Sequence, residues 1–219
     1  MNVRTLVLAA LVAGATGMSA QALSIDFEGE TVGNKGDSFT IGTTTFSRDP
    51  LLDSFVQVAD VGGTQTAFVP DDIPTPNGAF GEKFASGSFD AGDTGMMISF
   101  GGILSEITFD IADIDGTGGD RESFQIDYFL GGSGVGTQTF AAPLVGIVDG
   151  SVTTIMFSAA TFDEIKITGT TPDGNRKIGW GLDNISATVV PLPASVFLLL
   201  GALGGLGLIA RSRKSSTTA

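Results

Sequence analysis

The chain of 219 residues contains no cysteine and no histidine. Without cysteine its stability cannot rest on disulfides. Without histidine the usual zinc ligand and the usual general base are both missing. Losing both residue types removes the conventional nucleophile–base pairs of covalent catalysis. Aromatic platforms for sugar rings are scarce too, with one Trp and one Tyr. The 16 Phe fall mostly at alternating positions, where core packing is the default. No long segment of the body has helical apolar spacing, so helix bundles are excluded as well.

What is present begins at the two ends. Residues 194–210 carry no charge, and 211–214 read Arg211-Ser212-Arg213-Lys214. Seventeen helical residues rise about 26 Å, near the lower limit for crossing a bilayer core. A buried core helix would show a polar face, and this run has none. Arg211, Arg213 and Lys214 form a basic stop that is held on the cytoplasmic side. The body then lies outside. At the front, Arg4 precedes an apolar stretch over 5–18, and Ala20-Gln21-Ala22 gives a small-x-small cleavage pattern. That is a signal peptide over 1–22, with a mature chain from Leu23.

Immediately before the apolar tail stands Val190-Pro191-Leu192-Pro193-Ala194. With the Leu/Gly-rich span and the basic end, it resembles the PEP-CTERM sorting signal of Gram-negative bacteria in its VPLPA variety, over 190–214. The resemblance implies recognition by an exosortase after export by the general secretion machinery and signal peptidase. The span would be removed near the Pro-Leu-Pro motif and the body passed to the cell surface or an extracellular matrix. Leu192 stands where the most familiar form has Glu, so the subtype of the processing enzyme stays open. A simple C-terminal membrane anchor that is never cut is the alternative.

Between the signals lies a body over 23–189, long enough for one domain with a real core. All 24 acidic residues fall within it. Of the 11 basic residues, Arg4, Arg211, Arg213 and Lys214 lie outside, which leaves seven against 24, a formal charge of −17. Such a surface repels nucleic acid and anionic lipid and suits divalent cations. Short alternating runs predict about ten strands and almost no helix: 24–28, 38–47, 53–59, 96–100, 107–111, 124–128, 137–141, 152–158, 164–168 and 177–189. Residues 71–77, with Pro74 and Pro76, read as loop. The runs 107–111 and 124–128 are expected to pair as antiparallel neighbours across the turn-rich connector 113–120. The predicted fold is an all-β antiparallel sandwich of the jelly-roll kind.

Two acidic constellations stand out. Asp113, Asp115, Asp120 and Glu122 lie on and beside a Gly-rich turn, where carboxylates can converge on calcium. Ile111 occupies the first position of an EF-hand pattern, and no helices flank it, so an EF-hand is not indicated. The competing reading is a solvated hairpin tip. The second is Asp26, Glu28 and Asp183. Asp26-Phe27-Glu28 and Gly179-Trp180-Gly181-Leu182-Asp183-Asn184-Ile185 resemble the first and last strands of many secreted PEP-CTERM ectodomains, which are similar to carbohydrate-binding modules. That resemblance implies a calcium held between neighbouring terminal strands, with Glu28 and Asp183 as ligands. The competing reading puts Asp26 and Glu28 on the outward face of an edge strand. Trp180, between two glycines, is a candidate ligand contact; a core tryptophan is the competing reading.

Together these features point to a non-enzymatic exported module that associates with polysaccharide or calcium in a biofilm matrix. The alternatives are a secreted carboxylate-dependent glycan-active enzyme and a membrane-anchored structural protein. No cofactor other than calcium is expected, and no nucleic acid partner.

Overall fold

A computed structural model describes residues 21–62, 79–88, 93–114, 121–142, 150–172 and 178–191. The sorting residues Leu192, Pro193 and Ala194, the apolar span 194–210, the basic residues Arg211, Arg213 and Lys214, the signal peptide up to Ala20, the expected loop 71–77, and Asp115 and Asp120 lie outside the described residues. No helix among the described residues is long and apolar enough to cross a membrane. The stretch Ala22–Val189 is one compact unit.

That unit is all-β and antiparallel. Its strands are β1 (Gln21–Ile25), β2 (Gly33–Asn34), β3 (Ser38–Ile41), β4 (Thr44–Arg48), β5 (Gln57–Asp60), β6 (Lys83–Ser86), β7 (Thr94–Ala112), β8 (Ser123–Leu130), β9 (Ser133–Ala141), β10 (Val152–Phe157), β11 (Phe162–Thr170) and β12 (Gly181–Val189). The long β7 belongs to two layers. Its first half pairs with β4 and β11, and its second half with β12 and β10. One layer runs β3-β4-β7-β11-β8-β9, and the other runs β2-β5-β6-β12-β7-β10.

Alternation explains the core between them. Phe46, Ile98, Ile165 and Ile126 point inward from one layer, and Ile107, Phe109, Leu182 and Ile155 from the other, all fully buried. Aromatic contacts lock the layers together. Phe27 meets Phe46 edge-on at 5.2 Å, Phe124 meets Trp180 at 5.6 Å, and Tyr128 stacks on Phe157 at 3.7 Å. Each such pair adds about 1 kcal/mol beyond the area it buries.

The expected pairing of 107–111 with 124–128 does not occur. β8 lies between β11 and β9, and β11 separates it from β7. Both runs alternate well, but alternation specifies a buried face and not a neighbour. The single strand expected over 38–47 is a hairpin, broken where Gly42 takes a φ of 59°. The run 96–100 and the run 107–111 are two parts of one strand.

Candidate functional site: an acidic cluster on the last strand

The site is built on a break in β12. Asp183 pairs with Asp110 of β7, yet Ser186 pairs with Thr108, so Asn184 and Ile185 together oppose one residue. This is a β-bulge, and Asn184 carries it at a φ of 53°. The bulge returns Ile185 to the core after Leu182 and leaves Asp183 beside Asp110, away from the core. Asn184 Nδ2 secures the arrangement by donating to Ala79 O at 2.6 Å and to Asp110 Oδ2 at 3.0 Å.

The segment after β1 supplies the other side. Phe27 is buried at a φ of 57°, which ends the strand and makes a turn closed by Glu30 N to Phe27 O at 2.9 Å. The expected strand over 24–28 therefore stops at Ile25. Asp26 and Glu28 flank the anchored ring on this turn instead of lying along an edge strand. Glu28 Oε1 accepts from Glu82 N at 2.6 Å and Lys83 N at 3.2 Å. Gly81, at a φ of 50°, passes so close that a Cβ there would fall on Glu28 Oε1. Lys83 Nζ donates to the carbonyls of Glu28 and Glu30 at 2.8 and 2.9 Å.

Asp183 is the exceptional member. It is 1% exposed, and its Oδ1 is buried without a hydrogen-bond partner. Burial is the main cause that pushes its carboxyl up to about 8; the amide of Asn184 opposes this, and the charges of Glu28, Asp26 and Asp110 add to it. Three carboxyl groups thus act on Asp183 here. The oxygen-only donor set matches a hard divalent cation such as calcium. An orphaned buried carboxylate oxygen is the group such an ion would satisfy. Among the described residues no three acidic side chains already form a cage, and Glu28 is turned onto the amides of residues 82 and 83. Glu28 lies near enough for its charge to act on Asp183, while its own carboxylate is held by backbone amides. Asp110 joins them from β7, and nothing in its alternating strand distinguished it beforehand.

The other sequence-predicted residues fall differently. Asp113, at a φ of 71° and 1% exposed, accepts from Gly150 N at 3.0 Å, while its amide donates to Ser151 O. Glu122 is also 1% exposed, and its carbonyl accepts from Ala142 N. Neither sits on a solvated tip. Asp115 and Asp120, between them, lie outside the described residues.

Trp180 is corrected from ligand contact to core residue. It is 1% exposed, packs against Phe124, and donates Nε1–H to Thr94 Oγ1 at 2.9 Å. The hydroxyl of Thr94 donates onward to Asp53 Oδ2 at 2.9 Å. Val190 and Pro191 are described only at the end of β12 and carry no site geometry.

A second surface emerges from the register. On the outward side of the β3–β9 layer, Ser47, Met97, Lys166, Asp127 and Thr137 form one row, and Thr45, Ser99 and Glu164 lie in the next. Ser99 Oγ donates to Glu164 Oε2 at 2.7 Å, Gln125 and Thr137 donate to Asp127, and Lys166 pairs with Asp49 at 2.7 Å. The alternation that packs the core necessarily lines this face with hydroxyl, amide and charged groups.

No family model matches the chain, and no curated protein matches it. Solved structures to which the chain shows similarity include a DUF4465 family protein from Bacteroides caccae, at 11% identity and a TM-score of 0.48, covering 78% of this chain and 100% of that one. A family 11 carbohydrate-binding module from Clostridium thermocellum, in complex with a β-1,3-1,4-mixed-linked tetrasaccharide, has 15% identity and a TM-score of 0.35, covering 78% and 96%. The module CBM27-1 from Caldicellulosiruptor saccharolyticus, in complex with mannohexaose, has 15% identity and a TM-score of 0.36, covering 77% and 97%.

Proposed function

We propose that the body is a calcium-binding, non-enzymatic β-sandwich that is exported, passed by an exosortase to the cell surface or matrix, and associates there with polysaccharide. The observation that carries the calcium reading is the buried, unpartnered Oδ1 of Asp183 with three acidic neighbours. Glu28, Asp183 and Asp110 would hold the ion, which would supply charge neutralisation and join the start of the domain to its last strand. The polysaccharide reading is supported by the outward rows of the β3–β9 layer, whose donors and acceptors suit sugar hydroxyls. The export and sorting reading is supported by the terminal motifs, above all Val190-Pro191-Leu192-Pro193-Ala194.

The test is co-sedimentation of the protein with the producing organism's own exopolysaccharide, with calcium and again with a chelator. Pelleting with calcium, lost in the double variant Gln125→Ala/Glu164→Ala, is the expected result. No pelleting in either condition overturns the polysaccharide role and leaves a sorted structural protein. Sorting is tested separately by replacing Leu192 and Pro193. An unchanged mature mass and location would overturn exosortase processing.

A further inference from the structure

The turn after β1 carries a carboxylate that is engaged on one oxygen only. Glu28 Oε1 accepts from Glu82 N at 2.6 Å and from Lys83 N at 3.2 Å, while no hydrogen bond reaches Oε2 among the described residues. The other acidic groups around Asp183 are less free. Asp110 accepts on both oxygens, from Thr154 Oγ1 at 2.6 Å and from Asn184 Nδ2 at 3.0 Å. Asp26 has the shorter side chain and accepts from Glu28 N at 3.3 Å. Glu28 thus combines the longest reach of the three with a vacant oxygen. Its charge also acts on Asp183 more strongly than that of Asp110, which lies directly opposite Asp183 in the register.

The two ends of that reach differ in what water can repair. Glu82 is exposed, so an amide released there is taken up by solvent at little cost. Asp183 Oδ1 is buried and unpartnered, so only an incoming group can satisfy it. A carboxylate also gains more from a divalent cation than from two amide dipoles, because attraction between full charges exceeds that between a charge and a dipole at the same distance.

We infer that Glu28 is a movable tether: it holds the entry to β6 through the amides of Glu82 and Lys83 when no cation is bound, and turns to the cation at Asp183 when one is. The tether presupposes the calcium proposed above for the acidic cluster and adds to it a change within the protein. Glu28 would pass the turn after β1 from β6 to β12. The domain does not open, because Lys83 Nζ still donates to the carbonyls of Glu28 and Glu30, and Asn184 Nδ2 still donates to Ala79 O. The change is local. The entry to β6 loosens as the last strand gains a connection to the start of the domain.

The test is amide hydrogen exchange, resolved to single residues, of the full-length protein in chelator and in saturating calcium. The amides of Glu82 and Lys83 are expected to be protected in chelator and to lose that protection in calcium. Glu28→Gln keeps an acceptor for the amides and loses the charge that draws the side chain to a cation, so protection at 82 and 83 should persist in calcium. Gly81→Ala acts in the opposite direction, since its Cβ would fall on Glu28 Oε1 and close the amide-bound position. The strain of a side chain at a φ of 50° is present with and without calcium. The calcium-induced rise in melting midpoint should therefore be larger in Gly81→Ala than in the unaltered chain.

Protection at 82 and 83 that calcium leaves unchanged or increases, alongside a midpoint shift that Asp183→Asn abolishes, would overturn the tether and leave the cation site standing. A calcium-induced rise in Gly81→Ala no larger than that of the unaltered chain would also overturn it. The absence of any Asp183-dependent response to calcium would overturn the tether and the site together.

Discussion

Asp183 is where the chemistry of this molecule concentrates. With no cation present its folded-state pKa is raised above the unfolded value, chiefly by burial. Between the ordinary carboxylate range and about 8 the folded chain therefore binds more protons than the unfolded one. Stability must then fall as pH rises through that window, because the group gives its full contribution only below its unfolded pKa. The groups facing it, Glu28, Asp26 and Asp110, are all acidic, and Lys83 is engaged with backbone carbonyls. Thermal melts in chelator between about pH 5 and about pH 8.5 should show the midpoint dropping with pH. Calcium prefers the ionised carboxylate, so adding it should raise the midpoint most at the alkaline end. Asp183→Asn should raise the midpoint in chelator at alkaline pH by a few degrees and abolish the calcium-dependent shift. A variant that kept that shift would remove Asp183 from the site. Asp49 behaves in the opposite sense. Burial acts to raise it, but Lys166 and the Leu51 amide outweigh that and hold it below the usual range, so its contribution is lost only in acid.

Among the elements, the turn over 49–53 does more than connect β4 to β5. Asp53 is 5% exposed, and its carboxylate accepts four hydrogen bonds, from Ser88 N and Oγ on one oxygen and from Thr94 Oγ1 and Gly95 N on the other. It thereby joins the end of β6 to the start of β7, and through Thr94 it reaches Trp180. Asp53→Ala should cost about 3 kcal/mol or more, since several buried donors lose a charged acceptor at once. Chemical denaturation checks the magnitude. Unchanged calcium affinity in the folded fraction would separate this hub from the acidic cluster, which stands on β12, β7 and the turn after β1.

For the molecule as a whole, the formal charge is −13, concentrated as −17 in the body over 23–189, and it is a standing repulsion. Raising monovalent salt from about 0.01 M to about 0.15 M shortens the screening length from about 30 to about 8 Å. The calcium-free melting midpoint should therefore rise over that range. A midpoint indifferent to salt would mean that the acidic residues are too widely spaced for repulsion to limit stability.

Much of this was legible in order along the chain. Alternation of Phe and Ile with Thr, Asp and Gln specified strands and their buried faces, because a pleated strand turns every second side chain to the same side. The motifs at the two ends are contiguous, so the expectation of export and sorting needs no folding to be read. Glu28 and Asp183 were singled out as partners through short motifs near both ends of the body. Tertiary structure alone decided the rest. Asp110 belongs with them only because the bulge at Asn184 and Ile185 sets Asp183 opposite it. Trp180 is internal because Phe124 and Thr94, both distant in sequence, close around its ring and its N–H. The separation of β7 from β8 by β11 is a choice of neighbour, and a period of two residues carries no information about which strand lies alongside. Sequence fixes what each strand buries by local chemistry; which distant carboxylates meet is set by register and topology, and those exist only once the layers have closed on one another.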